Sequence, residues 1–268
     1  GDAVKQKFTV LEIEKELQGL KAQISASSRN ATRNVSTPPE SQSINPEIDA
    51  ENLSIEPQLS QTWKCVKSFR GHEASVNSIA ISPDGQTLAS GSDDRTVSLW
   101  NVTIGKRIFT FFGQEAEVHA VAISPDGKKL FAGGFDRKIT SWQLDTKALL
   151  RPFLYLNSPY SHSGGVSSLA FSRDRRILAS ASGDKTIRLW GGYTGECKRT
   201  LNGHSDTVWS IAISPDSQTL VSGSADKTIR VWSLGSFQQP RILIGHSNWV
   251  TSVAIAPNGN TVASGSTD

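Results

Sequence analysis

The chain has 268 residues, with 28 Lys+Arg against 25 Asp+Glu, two Cys, seven Trp and no Met. A net charge of +3 is too small to argue for a nucleic-acid partner, and two Cys make neither a disulfide framework nor a four-ligand zinc site. No apolar run approaches the roughly 18 residues of a membrane span, and the N-terminus is no signal peptide. Position 1 is Gly, so the start reads as internal or processed.

Residues 1–25 read as an amphipathic helix, a possible coiled coil or the end of an upstream domain. Val10, Ile13, Leu17, Leu20 and Ile24 recur at a 3-4-3-4 spacing that puts them on one stripe. Residues 26–61 change character. They are rich in Ser, Asn, Pro and Gln, and from Pro38 to Gln61 they carry acidic residues with no Lys or Arg. Such a segment buries too little apolar surface to offset its chain entropy, so it is expected to be a disordered acidic linker. The near-neutral total conceals this division: residues 1–61 carry 6 basic and 9 acidic residues, and residues 62–268 carry 22 and 16.

From Thr62 onward the chain repeats itself. Gly71-His72, Gly203-His204 and Gly245-His246 are the clearest anchors, with Ser161-His162 and Gly113-Gln114 as weaker copies. The intervals between these His or Gln positions are 42, 48, 42 and 42 residues. Each anchor is followed by an apolar run such as Val76–Ile81, then a turn such as Ser82-Pro83-Asp84-Gly85. A Leu-Ala-Ser-Gly-Ser-like strand comes next, and a third strand ends in Trp at 100, 142, 190 and 232. A period near 42 with a Gly-His start and a Trp end marks a propeller array.

These residues resemble the WD40-repeat family over 62–268. The fold class implied is all-β, a β-propeller of four blades plus part of a fifth, with blades near 71–112, 113–160, 161–202, 203–244 and 245–268. Trp63–Phe69 is expected as an outer strand. A seven-bladed ring, the commonest form of the family, needs roughly 90 further residues at this period, so the chain reads as a fragment of a larger multidomain, bacterial-type protein.

Four repeats carry His, Ser and Asp at constant spacing: His72, Ser90, Asp94; His162, Ser180, Asp184; His204, Ser222, Asp226; and His246, Ser264, Asp268. These residue types invite a nucleophilic-catalysis reading. Their recurrence argues for structure instead, because an enzyme needs one site and a fold rule needs one per blade. The resemblance implies a tetrad in which Asp bonds His, His bonds Ser, and Ser meets the indole N–H of Trp100, Trp190 or Trp232. The second repeat departs from the pattern. Gln114 and Ala132 replace His and Ser, leaving Asp136 and Trp142.

The resemblance also implies that partners dock on the channel rim, at positions three and five after the His and one before the Asp. Asn77, Asp93, Glu117, His119, Phe135, Trp209 and Trp249 are the candidates that follow. Gly165, Ser167 and Gly183 make the third blade's sector open and featureless. Trp209 and Trp249 are not repeat Trp residues, and buried Trp is enriched at binding hot spots. The alternative role for them is packing inside the channel.

The function expected is a non-catalytic protein–protein interaction scaffold. The second reading is a regulatory or targeting module of a larger signalling protein, such as a kinase or ATPase. No Gly-rich phosphate loop or HExxH pattern supports an enzyme, and no metal or cofactor is expected. The partners are other proteins or peptides, with self-association through exposed sheet edges. Cys65 and Cys197, expected far apart and therefore free, fit a reducing, cytoplasmic setting.

Overall fold

The computed structural model describes residues 65–150 and 161–268, so the predicted helix, the linker and residues 151–160 lie outside the described residues. Phe69–Asp268 make up one compact unit; of the other unit, Gly1–Ser68, residues 65–68 are described and hold no regular structure. All the described elements are antiparallel strands, and they build five sheets in chain order.

The first sheet contains β1 (Val76–Ile81), β2 (Thr87–Ser92), β3 (Val97–Asn101) and β4 (Arg107–Phe111). The second contains β5 (Val118–Ile123), β6 (Lys129–Gly134) and β7 (Ile139–Gln143), with a lone bridge from Trp142 to Leu149. The third contains β8 (Val166–Phe171), β9 (Ile177–Ser182), β10 (Ile187–Gly191) and β11 (Cys197–Leu201). The fourth contains β12 (Val208–Ile213), β13 (Thr219–Ser224), β14 (Ile229–Ser233) and β15 (Arg241–Leu243), and the fifth contains β16 (Val250–Ile255) and β17 (Val262–Ser266). Of the strand expected over 63–69, the described residues 65–69 are irregular. A strand needs a ladder partner, and the sheet order leaves no described strand alongside this segment.

The first strands of neighbouring sheets pack on one another: β1 on β5, β5 on β8, β8 on β12 and β12 on β16. Core layers therefore lie between sheets. Leu99 and Phe111 of the first meet Val118, Val121 and Trp142 of the second, while Phe131 and Ile139 of the second meet Val166, Leu178 and Trp190 of the third. Val118, Val166, Val208 and Val250 begin the inner strands and are each at most 1% exposed. Full burial of such a side chain is worth about 1.5–3 kcal/mol, so the four fix the spacing of the sheets.

Two turns punctuate each of the first four repeats. At the first, the Ser82 hydroxyl donates to Asp84 Oδ1 and the Gly85 amide to Ser82 O at 2.8 Å; the Ser/Asp pair recurs at 124/126, 172/174 and 214/216. At the second, Asp94, Asp136, Asp184 and Asp226 each accept the amide two residues on at 3.0 Å. This Asx turn holds the intervening Arg95, Arg137, Lys185 and Lys227 at φ of 64–71°. Small residues in the second strands let the sheets approach. A Cβ built on Gly91 would lie 2.5 Å from Val118 Cγ1, and one on Gly223 would lie 2.6 Å from Val250 Cγ1.

Candidate functional site

The turns and second strands bring each repeated His, Ser, Asp and Trp together. His72 Nδ1 lies 2.7 Å from Asp94 Oδ2, its Nε2 lies 2.7 Å from Ser90 Oγ, and Trp100 Nε1 donates to the same Ser90 Oγ at 2.7 Å. His162, Asp184, Ser180 and Trp190 reproduce the arrangement at 2.7, 2.8 and 2.8 Å, and His204, Asp226, Ser222 and Trp232 at 2.7, 2.7 and 2.8 Å. In the fifth sheet His246 reaches Asp268 at 3.1 Å and Ser264 at 2.9 Å.

Charge fixes the protons. Burial works to raise the Asp94 carboxyl, but bonds from Thr96, His72 and the Glu73 amide outweigh it and hold the group at about 2. Asp226 is held at about 2 and Asp184 lower still, by bonds from the matching Thr and His against the same burial. An ionised Asp requires the Nδ1 proton, so Nε2 accepts from the Ser hydroxyl and the Ser oxygen accepts from Trp. Burial lowers the pKa of His204, against the pull of Asp226. The serine oxygen is thus occupied by an indole, and Ser180 and Ser222 have no exposed surface. The arrangement orders a turn against a strand and presents no open nucleophile.

The second sheet shows what the tetrad supplies. Asp136 keeps its bond from the Lys138 amide, but Gln114 replaces the His and Lys138 stands where the others have Thr. Burial raises the Asp136 pKa, opposed by that amide and by the Lys138 charge. Lys138 Nζ instead reaches Glu115 Oε1 at 2.6 Å.

The positions expected on the rim share a recurring irregularity. The β1–β2 register slips between Val76 and Ser78, and the same slip occurs at 118/120, 166/168, 208/210 and 250/252. The extra residue of each bulge is Asn77, His119, Ser167, Trp209 or Thr251. A bulge re-aims its side chain, so these five residues share one recurring orientation along the array. Backbone bonds bring the other two rim positions together within each sheet: Asp93 N donates to Ser75 O, Phe135 N to Glu117 O, and Thr267 N to Trp249 O.

Side chains then link the sheets along this line. Asn77 Nδ2 donates to Asp93 Oδ1 at 2.6 Å and to Val118 O at 3.0 Å; His119 Nε2 lies 3.7 Å from Asp93; and the His119 and Phe135 rings are 4.4 Å apart. Across the fourth and fifth sheets Trp209 and Trp249 pack with ring centroids 6.2 Å apart and planes tilted by 31°. Trp249 is 49% exposed, and the buried Trp209 Nε1 has no acceptor in the structure.

The model of the WD domain, G-beta repeat, matches residues 63–101, 105–143, 155–191, 195–233 and 237–268. The chain belongs to the WD40-repeat family. It is similar to Protein Mut11 of Chlamydomonas reinhardtii, at 42% identity over 62 residues, covering 23% of this chain and 17% of the relative. Similarity to a guanine nucleotide-binding protein subunit beta of Oryza sativa subsp. indica is 29% over 132 residues, covering 47% and 35%. Similarity to a ribosome biogenesis protein BOP1 homolog of Drosophila virilis is 38% over 77 residues, covering 27% and 10%. These matches thus span about a third or less of the relatives' own lengths.

In this WD40 chain the third blade's sector is filled at Gly165 and open at Gly183. Phe135 lies against Gly165, where a built Cβ would sit 2.7 Å from Phe135 Cδ1, and the Ser167 hydroxyl donates to Val208 O. An exposed aromatic from the second blade fills the space that the missing side chain leaves. Two further sets escaped the sequence reading. Thr96, Thr186 and Thr228 donate to the Asp of their tetrads at 2.6–2.7 Å, and the Asp-Lys/Arg-Thr triplet was their signal. Ser78, Ser168 and Ser210 accept the amides of Val121, Ile211 and Val253 of the next blade at 3.1–3.3 Å. The Val-x-Ser triplet marks them, and Ala120 lacks the hydroxyl in the second blade. Among the described residues, no group of three or more His, Cys, Asp or Glu converges to hold a metal, and no helix is long and apolar enough to cross a membrane.

Proposed function

We propose that this chain is a non-catalytic protein–protein interaction scaffold that takes its partner on the rim bearing Trp209 and Trp249. The observation that carries the reading is a half-exposed Trp249 packed on Trp209 of the adjacent blade. A half-exposed aromatic platform suits a peptide segment that offers an apolar side chain. The Asn77, Asp93, His119 and Phe135 cluster supplies a second, polar contact on the first two blades. Use of His, Ser and Asp in the tetrads supports the non-catalytic part, because the same groups recur as turn supports. Both cysteines are free thiols, which supports a reducing compartment such as the cytoplasm.

A photo-crosslinking amino acid at Thr207, on the rim, compared with one at Tyr193, in the turn after β10, tests the surface. Partners joined through position 207 and not 193 support the reading; equal capture from both contradicts it. A regulatory or targeting role within a larger protein is the second reading. It is favoured by the small share of each relative that the matches span and by the contrasting composition of residues 1–61.

A further inference from the structure

At the end of the sheets opposite the His-bearing loops, each repeat turns from its first strand to its second through the same six positions. These read Ser82-Pro83-Asp84-Gly85-Gln86-Thr87 in the first blade. Neighbouring turns touch: a Cβ built on Gly127 would meet Pro83 Cδ at 3.6 Å, and the Asp174 amide donates to Ser217 Oγ at 3.3 Å. The third blade departs from the pattern. Arg173 stands where the other blades have Pro83, Pro125, Pro215 and Pro257. Arg175 has φ of 64° at the position where Gly85, Gly127 and Gly259 have 70–76°. Arg176 stands where the others have Gln86, Lys128, Gln218 and Asn260. Glycine takes the left-handed backbone freely, whereas a residue with a Cβ is strained there. The turn gains nothing from the arginine, since Arg175 N donates to Ser172 O at 2.9 Å much as Gly85 N does to Ser82 O at 2.8 Å.

These residues concentrate charge. The turns at 124–129 and 172–177 carry Lys128, Lys129, Arg173, Arg175 and Arg176 against Asp126 and Asp174. Those at 82–87 and 214–219 each carry one aspartate and no base, and the turn at 256–261 carries neither. The adjoining turns after the third strands add an acid and a base each, Asp145 with Lys147 and Glu196 with Lys198. Both patch aspartates are engaged within their own turns. Asp126 accepts from the Ser124 hydroxyl at 2.6 Å and the Lys128 amide at 3.0 Å, and Asp174 does the same with Ser172 and the Arg176 amide. Their reach to the arginines is long, at 3.8 Å from Asp126 to Arg175 and from Asp174 to Arg176. The Arg176 side chain is 80% exposed and that of Arg175 48%. Arg175 and Lys129 also line a groove between the two blades, together with Phe171 and the exposed Tyr193.

We propose that this surface of the second and third blades binds a short acidic peptide segment of a partner protein. Its carboxylates meet Arg173, Arg175, Arg176, Lys128 and Lys129, and an apolar side chain packs against Phe171 and Tyr193. Charge complementarity selects the sign of the ligand, and guanidinium groups suit carboxylates through paired N–H donors. The footprint selects its length. Asp84 and Asp216 lie on the turns to either side, so a long polyanion such as a nucleic acid, or the charged plane of a membrane, meets repulsion beyond the two blades. The patch lies at the other end of the sheets from the loops near Trp209 and Trp249, and the inference does not depend on the rim as partner site.

Fluorescence anisotropy of the whole chain with a labelled glutamate-rich peptide carrying one leucine tests it, against the same peptide with glutamine for glutamate. The glutamate peptide is expected to bind saturably and the glutamine peptide not to bind. Arg173→Pro/Arg175→Gly/Arg176→Gln gives the third blade the turn of the first. It is expected to weaken binding about tenfold or more while the melting temperature stays level or rises, because glycine relieves the left-handed backbone. The exposed-site variant Arg176→Glu is expected to weaken binding as well. Arg95→Gln/Arg137→Gln/Lys185→Gln removes as many charges from turns at the opposite end and is expected to leave binding as in the wild type. Trp209→Ala/Trp249→Ala is also expected to bind the peptide like the wild type, so failure of the rim and failure of this surface are read apart. Equal weakening by the two triple variants at 173–176 and 95–185 overturns the proposal, as does unchanged binding in Arg176→Glu. Binding of the glutamine peptide, or tighter binding of an oligouridine or of phosphatidylserine vesicles, overturns it equally.

Discussion

Ser222 Oγ sits between Trp232 Nε1 and His204 Nε2, at 2.8 and 2.7 Å, and the bond to tryptophan separates this tetrad from a catalytic triad. In a hydrolase the serine lone pair faces a substrate; here an indole N–H occupies it in a site without exposed surface. Replacing Ser222 with Ala leaves a buried indole donor and a histidine nitrogen unmet. The expected cost is about 1–3 kcal/mol, read as a lower melting temperature. A fluorophosphonate probe is expected to leave Ser90, Ser180 and Ser222 unmodified in the native protein. An adduct on one of them, found by mass spectrometry, contradicts the structural role.

The tetrad aspartates and Asp136 differ in sign. Asp94 gains bonds that favour its charge, whereas Asp136 is half-buried without the histidine and threonine that satisfy its counterparts. Asp94→Asn is therefore expected to lower the melting temperature at pH 7. Asp136→Asn is expected to raise it, because Asn keeps the Oδ1 that accepts the Lys138 amide and removes the half-buried charge. Parallel thermal melts read both, and a shift in the same direction for the two variants contradicts the contrast.

Acid should unfold the chain in two stages. Asp94 and Asp226 are held at about 2, below their ordinary 3.8, so the unfolded chain binds more protons over that window. Stability from these groups is complete above the ordinary value and is lost as pH falls through the folded one. His204 is also lowered, from 6.5, by burial; the unfolded chain again binds the extra proton, so its share declines as pH falls below 6.5. Urea midpoints measured from pH 7 down to pH 3 are expected to fall gently below 6.5 and steeply below 4. A midpoint that rises between pH 5 and pH 3 contradicts the assignment.

Close approach of the blades makes a fourth prediction. A valine at Gly91 would drive its Cβ to 2.5 Å from Val118 Cγ1 and 2.9 Å from Val121 Cγ1. The third blade places Ala181 at this position, so one methyl is accommodated there. A branched side chain is larger, and Gly91→Val is expected to cost about 1–3 kcal/mol in a denaturant titration. An unchanged midpoint contradicts the packing.

Repetition is what made the fold legible. A spacing of 22 between His and Asp, held in four repeats, reports a fixed turn-to-turn distance, and the Trp six residues later closes the set in three of them. Cross-blade contacts were harder to read, because their partners lie about 41–43 residues apart and belong to different repeats. Ser78 looks like any polar residue in an alternating strand until Val121 of the next blade is placed beside it. Phe135 is similar: its exposure was legible from its rim position, but its packing on Gly165 depends on the neighbour. Residues 63–69 carry the composition of a strand, and composition does not state whether a partner strand is present.

The rim is where the proposed function stands or falls. Trp209→Ala/Trp249→Ala, compared with the wild type by affinity capture and by thermal melting of the same preparations, is the most direct measurement. The expected result is a defined set of captured proteins that is lost in the double variant, with cooperative melting retained. Capture that is unchanged in the double variant would contradict a partner site at these tryptophans. Loss of cooperative melting would assign them to the channel's internal packing.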